Sequence, residues 1–272
     1  MLCFASMDAA TKYIVHDYGV AQILFVRSVI FLALAAAFAH RRGGLRRALA
    51  ARRPWLQIVR AALAVAENAS FVLAFRYLPL AETHAIAASS PLIVVVLAAP
   101  MLGERVGLDR WLAVVVGFAG VLLIIRPGFA ALNPALLIPL AGALLWALYQ
   151  ILLRLCGRTD TSETTVLYSA AVSLVLTSVV GLPGWTPPDG FGWGMLLAIG
   201  LLGCFGHITL TFALAAAEAA SIQPYSYTLL LWVSVLGVVV FGNIPTPWTI
   251  VGGTIVVLSG LFAWYRERHG MR

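Results

Sequence analysis

Charge is what this sequence has least of. Only 11% of its 272 residues are charged, against roughly a quarter in soluble domains, while 61% are hydrophobic and the mean hydropathy is +0.95. A water-soluble globule cannot hide that much apolar surface, so lipid is the expected solvent. Lys12 is the sole lysine beside seventeen arginines. Cysteine is equally sparse: Cys3, Cys156 and Cys204 each lie in an apolar run without metal-ligand spacing, which excludes a disulfide framework and a zinc site and leaves them as small buried hydrophobes. A phosphate-binding loop, a Gly-X-Ser-X-Gly elbow and a His-Glu-X-X-His pair are all missing, and Gly190, Gly192 and Gly194 fail the dinucleotide fingerprint because Met195 stands where its third glycine is required. No catalytic set, metal or cofactor is therefore expected, and ATP coupling would require another chain.

What is present is a series of apolar runs. A span needs roughly 20 such residues, and ten candidates occur, at about 1 to 15, 20 to 39, 54 to 78, 81 to 101, 107 to 126, 134 to 156, 163 to 182, 192 to 216, 219 to 241 and 246 to 265. The first is short, as though its opening turns were missing. The net charge of +7 would suggest nucleic acid, but the arginines flank the apolar runs, which is how membrane topology is written; no nucleic-acid partner is expected. Arg41, Arg42, Arg46, Arg47, Arg52 and Arg53 fall in one loop, which basic bias makes cytoplasmic. Alternating from there, Arg105, Arg110, Arg154, Arg158, Arg266, Arg268 and Arg272 share that side, and only Lys12, Arg76 and Arg126 lie near the other. Both termini are then cytoplasmic.

The stretch from Ala74 to Pro127 reappears in altered form towards the C-terminus. Phe75 and Phe212 end one helix; Ala88-Ser89-Ser90-Pro91 corresponds to Tyr225-Ser226-Tyr227-Thr228; an aliphatic run, a Gly-X turn (Gly103-Glu104, Gly242-Asn243) and a Gly-containing apolar helix follow in both copies. The fold expected is an all-α integral membrane protein of ten transmembrane helices in two repeats, 1–127 and 134–265, with a cytoplasmic tail at 266–272. Five helices per repeat is an odd number, so the second copy enters the membrane the other way up and the repeats are inverted.

FRYLPLAETHAIAASSPL followed by GER, SYTLLLWVSVLGVVVFG, and the MDAATKY and ILFVRS segments resemble the EamA-type permeases of the drug/metabolite transporter superfamily, and the resemblance covers nearly the whole chain. It implies a permease for a small organic metabolite in the bacterial inner membrane, with a central cavity between the halves. Asn243 departs from the pattern, standing where the family often has a glutamate matching Glu104.

Ionisable groups within apolar spans cost about 2.5 to 3.5 kcal/mol each on the insertion scale, so they need partners or water and are the first functional candidates. Asp8 and Lys12 are one turn apart on one face, and Arg27 in the next helix lies at a similar depth, which suggests an Asp8 to Arg27 ion pair, whether as a helix clamp or as a ligand site. Lys12 is read as reaching outward. Arg60 and Glu67 share a face of the third span. Glu67, near mid-membrane, is the candidate for binding and releasing a proton, with Arg60, Asn68 or His207 as packing partners; Arg60 is expected to reach the cytoplasmic interface. His84 beside Glu82 reads as an interface residue. His207, among small residues, fits packing or cavity lining equally.

Trp146, Tyr149 and Gln150, with Gln223, Tyr225 and Tyr227, supply the aromatics and polar groups that a planar or amphipathic organic molecule needs. Pro91 and Pro224 can each free a backbone carbonyl in related helices. Trp55, Trp111, Trp185, Trp193, Trp248 and Trp264 sit near span ends and read as interface belts. The function expected is secondary transport by alternating access, with proton coupling resting on Glu67 and Asp8, and with membrane lipid and a small metabolite as partners and a homodimer left open. The alternatives are an amino-acid or drug exporter of the same fold and, from another class, a membrane-embedded enzyme or a non-transporting accessory subunit.

Overall fold

The computed structural model describes residues 1–41, 44–102, 107–125, 133–216 and 225–269. The Gly103-Glu104 turn, Arg42, Arg105, Arg126, Arg272, Gln223 and Pro224 lie outside them. The elements are α1 (Leu2–Ile14), α2 (Val20–Arg41), α3 (Leu45–Leu49), α4 (Pro54–Tyr77), α5 (Leu80–Ala87), α6 (Ser90–Leu102), α7 (Leu108–Ile125), a 3-10 turn (Pro134–Leu136), α8 (Leu137–Gly157), α9 (Ser162–Gly181), α10 (Gly190–Ala216), α11 (Thr228–Phe241) and α12 (Pro247–His269). Among the described residues there is no strand, and seven helical segments are long and apolar enough to cross a membrane. Helices suit this solvent because they satisfy every backbone group internally.

Local chemistry sets the ends. Pro54 opens α4 where no amide donor is required, the Thr161 side chain accepts the Thr164 N–H at the start of α9, and Gly242 ends α11 in the left-handed region at φ +66. The expected single span at 81 to 101 is divided. Pro91 has no N–H to offer the Ala87 carbonyl, Ser89 turns its hydroxyl onto the Ile86 carbonyl at 2.7 Å, and α5 ends before α6 begins. A second interruption falls at Tyr227, between helical residues 225–226 and α11. The basic loop expected between the second and third spans contains the short α3.

Chain halves interlock. The largest helix pairings are α7 with α12, α2 with α9, α4 with α8 and α1 with α10, each joining residues before 126 to residues after 133. Gly120 and Gly252 bring α7 and α12 nearly backbone to backbone: a Cβ on Gly252 would stand 2.5 Å from the Gly120 carbonyl oxygen. Close approach by small residues is how helices associate where lipid offers no hydrophobic contrast. One buried cluster, including Met7, Ile14, Ile23, Val72 and Leu196, ties α1, α2, α4 and α10 together. This interlocking brings α4 beside α8 and sets the polar groups of both in the interior.

Candidate functional site

The facing surfaces of α4 and α8 form the site. Gly142 of α8 packs against Ser70 and Phe71 of α4, so the α4 row Arg60, Glu67, Ser70 and Phe71, spaced at helical intervals, meets the α8 row Gly142, Trp146, Tyr149 and Gln150. Trp146 and Tyr149 stack with ring centroids 5.1 Å apart. Tyr149 is acted on by both Arg60 and Glu67.

Glu67 is half-buried and accepts one bond, from Asn68 Nδ2 at 2.8 Å. The charges it faces are Arg27 of α2 and Asp8 of α1. Arg27 lies at the junction of α1, α2 and α10, beside Met7 and Gly203. The expected pair of Asp8 with Arg27 is replaced by another: Asp8 Oδ2 stands 3.1 Å from His84 Nε2, and no Asp8 to Arg27 ion pair forms. His84 is accordingly not at a wet interface. Its side chain is 10% exposed and its ring packs against Phe71 and Phe75, at 6.0 and 5.8 Å. The division of the span at Ala88 lets the short α5 run into the bundle and carry His84 to α1.

Two further expectations change. Lys12 turns inward, donating to the Phe75 and Leu78 carbonyls at 2.9 and 2.6 Å and lying 5.7 Å from the Phe241 ring. Those carbonyls end α4 without partners of their own, and a cation there also meets the negative end of the helix dipole. Arg60 is fully buried rather than at the interface. It does not pair with Glu67: its Nε donates to Gln57 Oε1 at 3.2 Å and its Nη2 to the Thr165 carbonyl and Ser169 Oγ of α9, at 2.9 and 2.8 Å.

Of the other candidates, Tyr227 directs its hydroxyl at the backbone of α12 where Gly260 leaves room, and Tyr225 is 67% exposed. The backbone of His207 belongs to α10, but its side chain is outside the described set, as is the whole of Gln223. Sequence reasoning missed Thr165, Ser169 and Asp160. The i,i+4 spacing of Thr165 and Ser169 near the start of α9 was the available signal. A separate cavity of about 420 Å³, lined by Ile93, Phe118, Leu137, Leu140, Ala141 and Leu144, lies on the opposite face of α8 and holds none of these polar groups.

An all-helical bundle with, among the described residues, seven segments long and apolar enough to cross a membrane, and with ionisable groups of α1, α2, α4 and α5 brought into its interior, is the architecture of a multi-pass membrane protein. The chain belongs to the EamA-like transporter family, whose model matches residues 1–126 and 133–265, and it is a transporter rather than an enzyme. It is 26% identical to a riboflavin transporter of Vibrio cholerae, over 96% of this chain and 89% of that one. It is 27% identical to an S-adenosylmethionine uptake transporter of Rickettsia felis, over 97% and 89%, and 26% identical to a pseudopaline exporter of Pseudomonas aeruginosa, over 94% and 90%. A crystal structure 20% identical in sequence superposes with a TM-score of 0.66 over 100% of this chain and 98% of its own, a likeness of fold alone.

Proposed function

We propose that the protein moves a planar or amphipathic organic metabolite across the bacterial inner membrane by alternating access, as ten helices in two inverted five-helix repeats, 1–127 and 134–265, with the 266–272 tail and both termini cytoplasmic. The single observation that carries this reading is the α4 and α8 seam, where Trp146 and Tyr149 stack on the α8 face that meets α4 and Glu67 of α4 lies within electrostatic range of Tyr149. A ring system stacks on the aromatics, and Glu67, Tyr149 and Gln150 supply its polar contacts. Glu67, with Asp8 and His84 behind it, takes and releases the coupling proton. Vitamins and nucleoside-like compounds, the kinds of cargo named for the riboflavin and S-adenosylmethionine relatives, fit such a seam.

The test is thermal unfolding of the purified chain against a metabolite panel that includes riboflavin and S-adenosylmethionine, followed by uptake into proteoliposomes. A ligand at 100 times its dissociation constant adds about 2.7 kcal/mol to the folded state. Stabilisation lost in Glu67→Gln or Tyr149→Ala supports the seam. Uptake indifferent both to an imposed pH gradient and to Glu67→Gln removes proton coupling. A second reading, export, is favoured by the similarity to the pseudopaline exporter, and inside-out vesicles distinguish the directions.

A further inference from the structure

Arg60 carries an unfinished set of bonds. Three of its five N–H donors are used, one on Gln57 and two on α9. Nη1 is buried without a hydrogen bond of ordinary geometry, the Tyr149 hydroxyl and the Cys156 thiol being the polar neighbours of the guanidinium, and the residue has no exposed surface. No carboxylate lies within ion-pair distance of it among the described residues. Asp160 stands one step removed, accepting from Gln57 Nε2 at 2.9 Å and from the Arg52 amide at 2.8 Å. Removing a guanidinium from water without a counter-charge is costly, and leaving its donors idle adds to that cost. The group nevertheless lies 5.4 Å from the Tyr149 ring centroid, and Tyr149 in turn stacks on Trp146.

Resting on the transport reading, we propose that Arg60 is the anion-binding residue of the substrate site, so that the cargo is a planar molecule bearing a carboxylate or phosphate. The ring lies along Trp146 and Tyr149, and the anionic group receives the two Nη1 N–H donors and the Tyr149 hydroxyl. Guanidinium suits this task because it stays charged and offers paired donors that match carboxylate and phosphate oxygens. The bonds to Gln57, Thr165 and Ser169 hold the group in place before the ligand arrives, which lowers the cost of binding.

The experiment uses the purified full chain and two matched probe pairs, 2-naphthoate with 2-naphthamide and 1-naphthyl phosphate with 1-naphthol, with apparent affinities read from thermal unfolding. The anionic member should bind roughly tenfold tighter than its neutral partner, the scale of a hydrogen bond to a charged group. Arg60→Gln should bring that ratio to about one. Because Arg60 is buried and triply bonded its replacement can lower stability, so Tyr149→Phe, which removes one hydroxyl, serves as the second variant and should reduce the ratio several-fold. A merely structural Arg60 would lower the unfolding temperature and leave the ratio alone. Equal or tighter binding by the neutral members, an unchanged ratio in both variants, or no binding by either anion overturns the proposal. If neutral metabolites still bind and are taken up, the transport reading stands without it; if nothing is bound or transported, the transport reading falls first.

Discussion

Two helix seams in this molecule solve opposite problems. Between α7 and α12 the chain removes side chains: Gly120 and Gly252 bring the backbones together, Ser259 spends its hydroxyl on Val256 of its own helix, and an ion pair, Arg266 with Asp109, sits at the exposed end. Between α4 and α8 the chain keeps bulk and charge: Arg60 lies over the Tyr149 ring, Tyr149 stacks on Trp146, and Arg60 Nη1 is left without a hydrogen bond. The first seam gains chiefly from close backbone contact. The second gives up stability to hold polar groups in an apolar setting, and a transporter returns that cost when cargo and proton bind.

Substitutions should separate the seams by what they damage. The largest loss of stability is expected for Gly252→Leu, whose Cβ would meet the Gly120 carbonyl, a backbone atom that cannot step aside. About 3 kcal/mol should be lost, seen as a lower unfolding temperature and less monodisperse protein in detergent. Lys12→Met comes next. Losing a charged donor from two carbonyls at the end of α4 should cost about 2 kcal/mol, and Lys12→Arg should recover part of it in the same assay.

Glu67→Gln should change stability by less than about 1 kcal/mol, because it removes a charge from the membrane interior and keeps the bond from Asn68. Its effect belongs to transport, where uptake should stop responding to an imposed pH gradient. The smallest effect is expected for Arg266→Gln. That pair with Asp109 is nearly half exposed on both sides, so its loss should cost under about 1 kcal/mol and still less at high salt. A Glu67→Gln protein as unstable as Gly252→Leu would erase the contrast between the seams.

Much of the helical layout was legible because hydropathy and Gly/Pro punctuation are local, with seven segments among the described residues long and apolar enough to span where ten were expected. Two helical rows, Arg60 with Glu67 and Trp146 with Tyr149 and Gln150, also follow from spacing alone. Partners were not legible. Depth along a helix placed Asp8 level with Arg27, but the choice of His84 depended on α5 stopping at Ala87 and tilting a histidine into the bundle. Arg60 and Lys12 were read as reaching for water, the default for long cations. Both instead found backbone carbonyls, of α9 and of the α4 end, and a single sequence does not reveal which neighbouring helix will offer them. Tyr227 was weighed as a ligand contact on residue type, and the room made by Gly260 for its hydroxyl is likewise a tertiary fact.

The decisive measurement is the initial rate of uptake by proteoliposomes containing equal amounts of wild type, Glu67→Gln, Tyr149→Ala and Arg266→Gln, using the metabolite that stabilises the purified chain. If the α4 and α8 seam is the transport site, the two seam variants should fall by roughly tenfold or more, the scale of one lost charged or aromatic contact, while Arg266→Gln stays near wild type. Wild-type rates from both seam variants, with each protein folded, would contradict that assignment and move the site elsewhere in the bundle.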